Sequence, residues 1–134
     1  MGELGEFLGW VTGACFIVSV LNYVVKRVNK RWIAPLPKTS AFRALYQKLM
    51  KLIVRTHRYF GVGAAAVAAV HLLVQLRWEF PSATGITAVS LLALTAILGI
   101  LMICGVKSRT LLKVHRIAAA AGFAAFLAHL ILKL

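Results

Sequence analysis

Acid is almost absent from this chain. Glu3, Glu6 and Glu79 are its only acidic residues, set against sixteen Lys and Arg in 134 residues, for a net charge of +13. No carboxylate falls inside any long apolar segment, which counts against a proton-coupled carboxylate transporter. Quinol oxidation normally needs a proton acceptor, and Glu79 alone is left to serve as one. Cysteine is scarce too. Cys15 sits midway along the first apolar segment and Cys104 at the end of the third. Their different depths argue against a disulfide, and nothing in their spacing forms a metal site. There is no glycine-rich nucleotide loop and no low-complexity linker, and no attached soluble domain is expected. The expectation is one small helical unit.

Apolar residues are abundant. They make up 61% of the chain, and the mean hydropathy is +0.87. A soluble domain of this size has no use for so much apolar surface, whereas a membrane protein does. Four segments, about 7–25, 52–77, 85–106 and 111–133, each approach the ~20 residues that cross a ~30 Å hydrocarbon core. The predicted fold class is an all-α membrane protein, a four-transmembrane-helix bundle forming one domain over 1–134. The opening MGELGEF carries Glu3 and Glu6 where a signal peptide carries cations, and no A-x-A site follows. The first segment is therefore expected to be a retained span.

The positive charge is clustered. Ten of the sixteen cations lie from Lys26 to Arg58 and four from Lys107 to Arg116, whereas the connection from Arg77 to Ala83 holds one Arg beside Glu79. The positive-inside rule then puts both basic stretches in the cytoplasm and both termini outside, in what is expected to be a bacterial inner membrane. Lipid headgroups are the first partner of such charges. Nucleic acid is not expected, because the cations follow the membrane edge. An acidic cytoplasmic partner stays open.

The chain echoes itself. HRYFGVGAAAVAAVHLLVQL (57–76) aligns with HRIAAAAGFAAFLAHLILKL (115–134), matching His57 with His115, Arg58 with Arg116, His71 with His129 and Leu72 with Leu130. The repeated unit reads as a helical hairpin used twice, so the second and fourth spans run parallel. In WIAPLP (32–37) two prolines break the helix. Thr39 or Ser40 then caps an amphipathic interfacial helix at about 40–50, with Phe42, Leu45, Tyr46 and Leu49 on one face. Gly5, Gly9 and Gly13 recur every fourth residue, a pattern for close packing within the bundle, with a homodimer seam as the alternative.

All four histidines of the chain belong to the repeat. An ionisable residue within a membrane is a functional candidate by default. Fourteen residues of helix come to within about 40° of four turns, so His57 and His71 share one face, as do His115 and His129. The members of each pair stand roughly 21 Å apart along the axis, too far to hold one ion. Across two parallel helices the pairing is His57 with His115 near the cytoplasmic side and His71 with His129 near the outer side. Two imidazoles are too few for structural zinc, which takes four ligands, but they suit the two axial positions of a haem iron. A porphyrin plate needs small residues beside it. Gly61, Ala64 and Ala68 supply them on one helix, and Ala119 and Gly122 on the other. Phe126 is expected between the two haems.

His-x13-His on each of two helices in a four-helix core resembles the ferric-reductase-like transmembrane domain. That group includes ferric reductases, NADPH oxidases and bacterial haem-binding oxidoreductase subunits. The motif is also similar to that of respiratory cytochromes b. The resemblance rests on His57–His71 and His115–His129, about half the chain. It implies two stacked b-type haems, one near each membrane face, and transfer of electrons through the bilayer as a component of an oxidoreductase. Larger members have six spans and many append a flavin and nicotinamide domain. Four spans and no such domain are expected here, so the donor is expected to be a redox partner protein or quinol, and an oligomer is compatible. Arg58 and Arg116, each one residue after an inner ligand, are the expected partners of haem propionates, with Arg55 and Lys113 nearby. Arg77 and Trp78 are their counterparts at the outer end, and Trp78 and Trp32 are also ordinary interfacial aromatics. The competing readings are a haem or metal-ion carrier with histidine rungs, and a haem-bearing assembly subunit of a larger oxidoreductase.

Overall fold

Nothing between Ala41 and Trp78 stops a helix. The stretch has no proline, and its first glycine is Gly61. In a computed structural model, which describes residues 2–78 and 82–133, this whole stretch is one helix. The element order is α1 (Gly2–Val28), a π-helical turn (Asn29–Ile33), α2 (Ala41–Trp78), α3 (Ala83–Ile103) and α4 (Arg109–Lys133). No strand occurs among the described residues. All four helices are long and apolar enough to cross a membrane.

The 38 residues of α2 extend over about 57 Å at 1.5 Å per residue, nearly twice a hydrocarbon core. The stretch expected as an interfacial helix at 40–50 is the first part of α2, continuous with the span. It packs on the far end of α1, where the Tyr46 hydroxyl donates to the Val25 carbonyl at 3.1 Å. The residues 41–51 and 26–33 therefore form the stem of a long hairpin. Its tip is closed by Ser40, whose Oγ accepts from the Arg43 amide, and by the Arg43 guanidinium, which donates to the Leu36 carbonyl.

The second hairpin is shorter. The span expected over 85–106 ends as a helix at Ile103, because Gly105 turns the chain with φ +98°. The Val106 amide bonds the Leu101 carbonyl and the Gly105 amide that of Met102, so two carbonyls at the helix end are tied up around a glycine that no L side chain replaces without strain. Ser108 then caps α4, accepting from the Leu111 amide, and Ser82 caps α3 in the same way, accepting from Gly85.

Within each hairpin the helices pack along their length, α1 on α2 and α3 on α4. Between hairpins α2 meets α3, and α1 approaches α4 only locally. This leaves α2 and α4 facing each other across the bundle. The core is a cluster of Phe16, Ala64, Ala68 and Leu92, with Phe123 and Phe126 against it. Phe16 meets Phe123 and Phe126 edge-on, at 5.8 and 6.1 Å between ring centres. The outward faces are apolar and exposed, as at Leu73, Ile97, Ile117 and Ile131, which is what helices surrounded by lipid present.

The α1 glycines face inward. A Cβ on Gly5 would lie 2.9 Å from the Gln75 amide nitrogen, one on Gly9 3.5 Å from His71, and one on Gly13 2.7 Å from the Phe126 ring. They serve packing within the bundle. Phe126 packs edge-on against Phe16, so a larger side chain at Gly13 must displace that ring. Gly13→Leu is therefore expected to destabilise the purified protein by about 1–3 kcal/mol, read as a lowered thermal midpoint. Gly63→Leu, where an added Cβ meets open space, should leave the midpoint unchanged.

Candidate functional site

Three of the four histidines are hydrogen-bonded to the other arm of their own hairpin. At the basic end, His57 Nδ1 lies 2.9 Å from the Ser19 carbonyl of α1, and His115 Nδ1 lies 2.9 Å from the Thr95 carbonyl of α3. A carbonyl oxygen only accepts, so in both rings Nδ1 carries the proton and donates. Nε2 is then the nitrogen with the free lone pair. Ser19 and Thr95 are alike in a second respect. The Ser19 hydroxyl donates to the Cys15 carbonyl at 3.0 Å and the Thr95 hydroxyl to the Leu91 carbonyl at 2.7 Å, so neither competes for the imidazole. A hydroxyl bonded back to the preceding turn also tends to bend a helix locally.

The two rings meet across the bundle. Their centres are 6.4 Å apart and their planes are at 89°. Two metal–nitrogen bonds of about 2.0 Å each, plus the half-width of two imidazoles, span about the same distance. Gly99 lies against the His115 ring, where an added Cβ would sit at van der Waals distance, 3.4 Å.

At the other end, His71 and His129 line one cavity of about 510 Å³, together with Gly9, Gly85, Ala68, Ala88 and Phe126. Cofactor cavities run to roughly 300–1,000 Å³. His129 Nδ1 lies 3.2 Å from both the Ser82 and the Thr84 hydroxyls. His71 Nδ1 is buried without a hydrogen-bond partner among the described residues. The rings again lie over glycines: an added Cβ would sit 3.5 Å from His71 at Gly9 and 3.1 Å from His129 at Gly85. The Phe16, Phe123 and Phe126 cluster contributes Phe16 and Phe126 to the wall of this cavity.

The small row expected beside the histidines is present on α2, where Ala64 and Ala68 are almost fully buried. On α4, Ala118 and Gly122 are buried and Ala119 is half-buried. Arg58 is exposed and folds back on Tyr59, donating to its hydroxyl at 2.9 Å and covering its ring. Arg116 is likewise exposed at the basic end. Neither reaches in between the imidazoles. Glu79 and the side chain of Trp78 lie outside the described residues. Cys15 and Cys104 are free thiols. Among the described residues no three His, Cys, Asp or Glu side chains come together, so a bare-ion site is not supported.

Ser19, Thr95, Gly85 and Gly99 do not emerge from the histidine pattern. A signal for three of them exists. Gly9 and Ser19 are ten residues apart on α1, and Gly85 and Thr95 are ten apart on α3. At the same offset, Thr12 matches Ala88 and Phe16 matches Leu92, all four buried. The repeat thus includes the first helix of each hairpin, although its sequence there shows only position and size.

No protein-family model, curated protein or solved structure matches the chain. The residues of the site carry the functional argument by themselves.

The tautomer is directly measurable. Nitrogen-15 spectra of the cofactor-free chain in lipid nanodiscs should show His57 and His115 with the proton on Nδ1 at neutral pH. A proton on Nε2 at either position contradicts the hydrogen bonds to Ser19 and Thr95.

Proposed function

We propose that this chain is a di-haem b membrane cytochrome that transfers electrons across the bilayer. The observation that carries the reading is the inner pair. His57 and His115 spend Nδ1 on backbone carbonyls, keep Nε2 free and face each other at a separation suited to an iron between them. Metal-bound histidines commonly use their second nitrogen in this way, which fixes ring orientation and raises ligand basicity. The His71–His129 cavity is the matching outer site. Bound b-type haem supplies a one-electron iron couple at each level.

The residues then divide the work. Two imidazoles would hold the iron at each site and would leave no position for oxygen or substrate, which favours outer-sphere transfer over oxygen chemistry. Gly9, Ala68, Gly85 and Ala88 would lie against the haem held by His71 and His129. Arg58 and Arg116, after rotation from their exposed positions, are the cations available to propionates at the basic end. The Phe16–Phe123–Phe126 cluster fills the middle of the bundle with apolar rings. Apolar filling of this kind disfavours the haem or metal-ion carrier, which needs a wet path between its rungs.

In this reading the protein lies in a lipid membrane, with the basic end in the cytoplasm and both termini outside. The motif likeness to ferric-reductase-like domains gives the direction, from a cytoplasmic donor or the quinol pool to an acceptor outside. An assembly-subunit role remains the second reading. It shares the cofactors and differs in being inert toward soluble acceptors.

Reduced-minus-oxidised absorption spectra of the purified chain, with haem quantified, test this directly. Two low-spin b haems per chain are expected. His57→Ala and His115→Ala should each lose the same haem, and His71→Ala and His129→Ala the other. A silent spectrum after haem-replete expression, or variants that lose neither haem, refutes the proposal.

A further inference from the structure

The two hairpins end at different heights on the basic side. His57 and His115 stand level, since their rings meet. From His57 back to Ala41, the start of α2, is about 24 Å of helix, whereas from His115 back to Arg109, the start of α4, is about 9 Å. The α1–α2 stem therefore overhangs the α3–α4 turn by about 15 Å, leaving a step above the inner histidines.

Magnitudes decide what covers the stem. The apolar part of α1 ends at Val25 and that of α2 begins at Leu52. Beyond these points the helices continue for about 12 and 16 Å to Ile33 and Ala41. The polar layer of a bilayer adds only about 5–8 Å on each side of its core. Headgroups reach Lys26, Arg27, Lys51 and Arg55. They do not reach the tip, with Arg31, Trp32, Lys38 and Phe42, when the stem follows the span outward.

The tip is built like a protein interface. Trp32, Phe42 and Leu45 are 65%, 60% and 58% exposed, and large apolar groups held in water mark a binding surface. The Arg31 guanidinium lies 5.7 Å from the Trp32 ring centre. Arg, Trp and other aromatics dominate interface hot spots. The surface is also ordered, with Ile33 buried and the loop tied back through Arg43 and Leu36. Its charge has one sign: no acidic residue occurs between Glu6 and Glu79, and the floor of the step carries Lys107 and Arg109. A surface of this kind selects an acidic partner and speeds its encounter.

We infer that the stem tip and the step beside it form a docking surface for an acidic soluble protein, centred on Arg31, Trp32, Lys38 and Phe42. The inference uses the membrane frame of the proposed function. Under that function, the step brings an electron carrier close to the inner histidine pair.

The test uses the full chain in nanodiscs of zwitterionic lipid, with a flavodoxin, an acidic flavin-bearing carrier, as the probe in a biolayer binding assay. Binding is expected at low ionic strength and should weaken steeply as salt rises. Arg31→Glu with Lys38→Glu should weaken it about tenfold or more, as should Trp32→Ala with Phe42→Ala. Glu3→Lys, at the opposite end, should leave it unchanged. No binding at low salt, or binding indifferent to both tip variants, overturns the inference. So does quenching of Trp32 emission by brominated lipid in a Trp10→Phe, Trp78→Phe background, which would put the tip in the membrane. The assay does not read the haem spectrum. A chain that binds the carrier yet holds no haem keeps the docking surface and loses the proposed function.

Discussion

The bond from an imidazole Nδ1–H to a backbone carbonyl of the neighbouring helix organises this bundle. A histidine among apolar side chains needs a polar partner, and an unsatisfied buried group costs about 1–3 kcal/mol. In a helix the carbonyls are already engaged along the axis. His57 and His115 nevertheless find acceptors, at Ser19 and Thr95, and this sets several things together. It fixes how far α2 slides along α1 and α4 along α3. It selects the tautomer. It leaves Nε2 of each ring free where the two rings meet across the bundle. Glycines pack against three of the four rings, Gly9 on His71, Gly85 on His129 and Gly99 on His115, with the tightest approach at Gly85.

How much of this could be read from the sequence depends on what kind of group does the work. Side-chain chemistry was legible. The four histidines, their spacing of fourteen and the thin face between them are explicit in the letters, and the parallel pairing of α2 with α4 follows from the repeat. Hydropathy marked the four helices for the same reason, since length and apolarity are additive along the chain. The carbonyl acceptors were not legible, because every residue has a carbonyl and no letter says which one is used. Gly85 and Gly99 were hidden in a helix that is apolar all round, where no face stands out. The boundaries erred where local chemistry overruled composition. Val106 and its neighbours are apolar enough to continue α3, but Gly105 turns the chain first. The stem at 41–50 has the pattern of a surface helix, yet nothing between it and Gly61 allows a break, and Tyr46 ties it to α1.

The division into hairpins bears on stability as well as on chemistry. Each hairpin is held along its whole length by its own two helices. The seam between hairpins is thinner, resting on α2 against α3, the Phe16, Phe123 and Phe126 contacts, and a brief approach of α1 to α4. In lipid no hydrophobic force closes that seam, since the acyl chains are as apolar as the helices. Neither hairpin contains a complete site: His57 and His71 belong to one, His115 and His129 to the other. Any group gripped by both members of a pair is therefore a cross-link between the hairpins. Its binding free energy is at the same time energy of assembly, and it favours the closed bundle by RT ln(1 + [L]/Kd). A duplicated hairpin thus gives two sites of similar build at two depths, and makes the bundle depend on what those sites hold. The two differ in their second contacts, with backbone carbonyls at one end and hydroxyls or no partner at the other. The carbonyl-anchored rings are held by main-chain atoms, whereas the hydroxyl partners of His129 can rotate.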